Sequence, residues 1–133
     1  MQAPFSCLHT HTDFCDGKGS VEDFCQAAYA KGLSAIGFSA HAPIAKKTGL
    51  KTDWHLPDDR LDEYIGTVNA ARRRWAGKLP VYLGLEVDYI KEPNGSSLSG
   101  PADRDFQSLG LDYIIGSVHY IFPPQWRRTL YRG

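Results

Sequence analysis

The chain has 133 residues, 15 Lys+Arg balanced by 15 Asp+Glu, and is 42% hydrophobic and 23% charged. This is the make-up of one ordinary globular domain, and it excludes disorder, collagen and a basic protein that coats nucleic acid. No run nears the roughly 20 apolar residues of a membrane helix, and Met1 to His11 lacks the basic start and apolar stretch of a signal peptide, so a cytoplasmic protein is expected.

In chain order, the first strand is expected over Phe5 to His9. Ser20, with Asp23 three residues later, is a variant of the capping box and opens a helix that ends at Gly32. A second strand, Ala35 to Ser39, leads into a loop rich in turn residues, Ala42 to Pro57. Leu61, Tyr64, Ile65, Val68, Ala71 and Trp75 recur at helical spacing and predict a second helix from about Asp58 to Trp75. Its first turn is acidic, and Arg72, Arg73 and Arg74 form a basic end, read as solvated and suited to the helix dipole. A third strand, Val81 to Val87, a second loop, Lys91 to Pro101, a short helix, Asp103 to Leu109, and a fourth strand, Tyr113 to Val118, complete the pattern. Strands alternating with helices predict βαβ units around a parallel sheet.

Residues suited to metal binding gather at the ends of these strands. His9 and His11 stand two apart, so in extended chain both point to one face. His41 follows the second strand, Glu86 lies near the end of the third, and His119 follows the fourth. In parallel α/β folds the site is built at these carboxyl ends. Pleating agrees with this placement. Tyr82, Gly84, Glu86 and Asp88 share a face opposite the apolar Val81, Leu83, Leu85 and Val87; Ser39 and His41 oppose Ile36 and Phe38; Ser117 and His119 oppose Ile114 and Val118. The apolar faces are expected to pack on helices.

Asp16 follows the two histidines closely enough to add a carboxylate, with Asp13 as its competitor. Nitrogen and carboxylate ligands suit zinc, manganese or iron, and several in one cleft suggest more than one ion. Such a centre activates water and stabilises charge on an attacked phosphoryl group, so hydrolysis is the expected reaction. His55, in a Trp-His-Leu-Pro loop, reads as packing or surface rather than as a ligand. Cys7, Cys15 and Cys25 are odd in number and lack CxxC spacing, which predicts reduced thiols. Cys7 and Cys25 read as small buried hydrophobes, and Cys15 has no evident base to make it a nucleophile. Lys46, Lys47 and Lys51 read as solvated surface rather than as a phosphate grip.

Four segments now carry a family resemblance: Leu8 to Thr12 with Cys15-Asp16-Gly17, Gly37 to Pro43, Gly84 to Tyr89, and Ile115 to Tyr120. Together they resemble the PHP (polymerase and histidinol phosphatase) superfamily, and within it the histidinol-phosphatase family. The resemblance implies an α/β fold, the N-terminal portion, about four βα units, of a distorted (β/α)7 TIM-like barrel. It implies up to three divalent ions in the complete family site, with His9, His11, Asp16, His41, Glu86 and His119 in ligand roles and Glu86 as the bridging carboxylate. The implied reaction is hydrolysis of L-histidinol phosphate by metal-activated water, a step of histidine biosynthesis.

A closed barrel of this general type takes about 250 residues, with a floor near 200. Residues 1–121 are therefore expected to form the N-terminal half of the domain, and 122–133 a basic tail outside the family pattern, as a truncated reading frame would leave. The edge of the fourth strand is expected to invite self-association. Competing expectations are a PHP phosphoesterase acting on nucleotides or nucleic-acid ends, for which the zero net charge argues against tight DNA binding, and a metal-binding fragment without turnover.

Overall fold

The computed structural model describes residues 5–45, 48–90 and 105–120. Among these, four parallel strands lie side by side in chain order: β1 (Ser6–Cys7), β2 (Ala35–His41), β3 (Val81–Asp88) and β4 (Tyr113–Ser117). Two helices, α1 (Val21–Ala30) and α2 (Leu61–Arg74), make the crossovers between β1 and β2 and between β2 and β3. A tight 3-10 turn, Asp58–Arg60, leads directly into α2.

The α1 start is fixed as its sequence predicts. Ser20 Oγ accepts from the Asp23 amide at 3.1 Å, and Asp23 Oδ2 accepts from the Ser20 amide at 2.9 Å. Two otherwise unpaired donors are thereby satisfied. Ser20→Ala is expected to cost about 1 kcal/mol, read as a lower urea midpoint with unchanged slope; an unaltered midpoint would contradict this role.

The apolar stripes of both helices cover one face of the sheet. Val21, Cys25 and Ala28 of α1 and Leu61, Tyr64, Val68 and Ala71 of α2 are buried in one cluster with Ile36, Phe38, Ala40, Val81, Leu83 and Leu85. Removing this surface from water is the main stabilising term. Tyr64 also donates from its hydroxyl to the Gly84 carbonyl at 2.9 Å and accepts from the Ala40 amide at 3.2 Å, pinning α2 to β2 and β3. On the opposite face, Tyr113 of β4 reaches across the sheet and donates to the Leu8 carbonyl at 2.6 Å. Its ring lies over Gly37 and Gly84, where a Cβ would collide with it.

Several expectations are corrected. β1 is two residues long rather than five: among the described residues it pairs with β2 through Ser6 and Cys7, and beyond them Thr10 N bonds the Ser39 side chain. Cys7 is exposed, whereas Cys25 is fully buried. On the outer face of β4, Ile114 and Val118 are 45% and 64% exposed rather than packed on a helix. The third helix is a 3-10 turn, Phe106–Leu109, capped by Asp105 and closed by Gly110 at φ 68°. Arg72 and Arg74 are not simply solvated. Arg72 pairs with Asp112 and donates to the Val81 carbonyl, while Arg74 bonds Glu22 of α1 at 2.9 Å. Lys46, Lys47, the Lys91 to Pro101 loop, Asp103 and residues 122–133 lie outside the described residues. No described helix is long and apolar enough to cross a membrane.

Candidate metal centre

Parallel pairing brings the strand ends level. His41 is in register with Glu86, and Asp88 with Ser117, two residues before His119. The segment after β1 is tied to β2 by Ser39 N donating to the Thr10 carbonyl at 2.9 Å and Thr10 N donating to Ser39 Oγ at 3.2 Å. That tie sets His9 and His11 on either side of Thr10, next to the end of β3.

The result is a cluster around one carboxylate. Glu86 Oε2 lies 2.9 Å from His9 Nε2, 2.8 Å from His11 Nε2 and 3.6 Å from His41 Nδ1; Oε1 lies 3.6 Å from His119 Nε2. Asp16 closes the other side, with Oδ1 2.8 Å from His11 Nδ1 and Oδ2 3.3 Å from His41 Nε2. A tight turn returns Asp16 to this position, with Gly17 N donating to the Thr12 carbonyl at 2.9 Å. A Cβ on Gly17 would stand 2.6 Å from Thr12 N, so the turn requires glycine. Asp13, the alternative carboxylate, is exposed and joins none of the ligand-type groups found among the described residues.

Three such groups have their donor atoms within 4.8 Å of one another: His9, His11 and Glu86; His11, Asp16 and His41; His41, Asp88 and His119. All six residues singled out in the sequence are thus brought together. The donors fit a cation better than they fit one another. His11 Nε2 and His41 Nδ1 are buried without a hydrogen bond, although His11 Nε2 is 2.8 Å from a carboxylate oxygen. Proximity without alignment, in a set of imidazole nitrogens and carboxylate oxygens, is what a shared divalent ion would resolve.

The electrostatics favour the ligating forms. Burial, reinforced by His11, holds the His41 imidazole below its ordinary 6.5 and so keeps a lone pair available. Burial alone would raise the Glu86 and Asp16 carboxyls, but the surrounding histidines outweigh it and hold them below their ordinary 4.5 and 3.8. Burial also raises the Cys15 thiol above its ordinary 9.0, which leaves it protonated and not nucleophilic.

These shifts act in one direction on the metal-free chain. The folded state resists protonating His41, so stability should decline as pH falls below 6.5. Glu86 and Asp16 add losses only below 4.5 and 3.8, as pH falls through their depressed folded values. Urea midpoints of chelator-treated protein should therefore drop on acidification, and His41→Gln should flatten the limb just below 6.5. A midpoint independent of pH in that window would contradict the assignment.

Two residues beside the centre were not read as part of it. Asp88, 1% exposed, accepts from His55 Nε2 at 2.7 Å and from His119 Nδ1. Its alternation with Glu86 placed it on the same face, and that was the only signal available. His55 is buried, with Nδ1 2.8 Å from Thr52 Oγ1 and Nε2 on Asp88, so both ring nitrogens are engaged. Trp54 packs edge-on against His41 at 4.6 Å between ring centres and walls the cluster on the loop side.

Comparison with known proteins gives a consistent picture. The PHP domain family model matches residues 8–132. A Deinococcus radiodurans protein, named provisionally as a histidinol-phosphatase, is 33% identical over 114 residues, covering 85% of this chain and 41% of that protein. A Bacillus subtilis histidinol-phosphatase is 33% identical over 119 residues, covering 85% of this chain and 43% of that protein. The chain thus spans less than half the length of these curated relatives. A crystal structure from Listeria monocytogenes, of a protein described provisionally as a histidinol phosphatase, aligns with TM-score 0.68 at 20% identity, over 96% of this chain and 55% of that one. The four strands and their helices are therefore part of a TIM-like barrel.

Proposed function

From the premise that this chain belongs to the PHP domain family, we propose that its strand ends hold the divalent ions of a phosphoesterase that hydrolyses L-histidinol phosphate to L-histidinol and phosphate. The observation that carries this reading is the convergence of four imidazoles on the two oxygens of Glu86. The family uses divalent metals, and nitrogen and oxygen donors of this kind suit zinc, manganese or iron.

A cation bound here would supply Lewis acidity toward a phosphoryl oxygen and an acidified water. The chain's own residues set the geometry. Glu86 would present Oε2 to a cation held with His9 and His11, and Oε1 to one held with His119. Asp16 spans His11 and His41 and supplies a second anionic group. His41, neutral through burial, offers nitrogen without an added positive charge. Cys7 and Cys25 stand outside the cluster.

The names of the two relatives and of the structural neighbour favour histidinol phosphate over a nucleotide. The test loads the full chain with manganese or zinc, measures bound metal per chain, and follows phosphate release from L-histidinol phosphate beside a nucleoside monophosphate. Expected are bound metal and chelator-sensitive release from histidinol phosphate, both lost in a His9→Ala, His11→Ala double variant. Release that ignores chelator would overturn the proposal. Preference for the nucleotide would redirect it, and bound metal without turnover of either substrate would leave a metal-binding fragment.

A further inference from the structure

Resting on the reading that the centre holds a cation, we infer that Asp88 is a positioning residue. It fixes the tautomers of His119 and His55, so that His119 turns Nε2 toward the centre and His55 presents no nitrogen to it. An ionised carboxylate only accepts, so each ring nitrogen that meets it must carry the proton.

Asp88 meets two. Its Oδ2 takes His55 Nε2 at 2.7 Å, and its Oδ1 takes His119 Nδ1 together with Ser117 Oγ at 3.3 Å. His55 is then protonated on Nε2, and its Nδ1 accepts from the Thr52 hydroxyl 2.8 Å away. Its hydrogen bonding is complete. His119 is protonated on Nδ1, and its Nε2 keeps a lone pair 3.6 Å from Glu86 Oε1.

A ligand role for Asp88 competes with this one, because Asp88 also falls in a group with His41 and His119. Both of its oxygens, however, are already committed to imidazole donors. Oδ1 already accepts from His119 Nδ1 and Ser117 Oγ, so only a second lone pair on Oδ2 would remain for a cation, and whether the affinity loss depends on His119 decides between the two roles. Carboxylates that orient metal-binding histidines through the distal nitrogen are a general device of such centres.

The test uses the full chain labelled with nitrogen-15 histidine, metal-free at mildly alkaline pH, and reads ring tautomers from long-range proton–nitrogen correlations. Expected in the wild type are His119 protonated on Nδ1 and His55 on Nε2. In Asp88→Asn an amide NH2 replaces one acceptor, so at least one of the two rings should change tautomer. Zinc affinity, measured by chelator competition, should fall about 10-fold or more in Asp88→Asn. The same substitution should change nothing once His119 is alanine, and should keep its effect when His9 is alanine.

His119 protonated on Nε2 in the wild type would overturn the inference without any variant having to fold. Equal losses of affinity with and without His119 would overturn it too, and would make Asp88 a ligand or a support of the fold. If the chain bound no zinc, the cation reading would fail while the metal-free tautomers still decided the role of Asp88.

Discussion

Glu86→Gln is expected to lower affinity for zinc or manganese by at least about 100-fold, since loss of a mere outer partner already costs about 10–100-fold. Glu86 is 4% exposed and occupies the end of a central strand, paired on both sides by β2 and β4. Its Oε2 is shared by His9 and His11 within 2.9 Å, and His119 approaches Oε1. Glutamine has the same shape, so the strand and its packing should persist. It removes the negative charge at the point of convergence and presents NH2 where a carboxylate oxygen stood. Phosphate release should fall with the bound metal, while circular dichroism stays that of the parent. Glu63→Gln, at an exposed residue paired with Arg60, is the matched control and should bind metal normally. Retention of full metal content by Glu86→Gln would remove the basis for the proposed centre.

What the sequence disclosed about this centre depended on periodicity and strand ends. Pleating placed Glu86 with Gly84 and Asp88, and His41 with Ser39, on the face opposite the helices; parallel pairing then made the ends level. His9, His11, Glu86 and His119 were legible for that reason. Asp16 over Asp13 followed only from the family resemblance, because spacing alone leaves both near the histidines and it is the Thr12–Gly17 turn that carries Asp16 to His11 and His41. The partners of Asp88 were hidden too, since His55 and His119 lie 33 and 31 residues away in sequence. Cys7 was misread because burial of a strand residue is set by what packs over its face, and among the described residues nothing covers Cys7 enough to bury it. Ile114 and Val118 illustrate the same limit. Their alternation with Ser117 and His119 was read correctly, but what covers an apolar face is a tertiary fact that alternation does not contain.

Gly84→Ala should be damaging although Gly84 supplies no donor atom, costing about 1–3 kcal/mol as overpacking. A Cβ there would stand 2.6–2.8 Å from three atoms of the Tyr113 ring. β3 cannot recede to make room, because its other face is packed on α2 and the Gly84 carbonyl is held by Tyr64. The ring must therefore lift, breaking the 2.6 Å hydrogen bond from its hydroxyl to the Leu8 carbonyl. That bond anchors the residue immediately before His9. Metal affinity should consequently fall along with stability, although Gly84 contributes no donor atom. Two comparisons separate this account from a general intolerance of side chains. Gly66→Ala, on an exposed turn of α2 with nothing within 4 Å of the new methyl, should stabilise by about 0.5–1 kcal/mol. In a Tyr113→Ala background, Gly84→Ala should cost far less than in the wild type, because the space it needs has been vacated. Urea midpoints and slopes for the four single and double variants decide the matter. Additive losses at Gly84 and Tyr113 would show that the ring does not transmit the strain, and the link from the floor of the barrel to His9 would have to be abandoned.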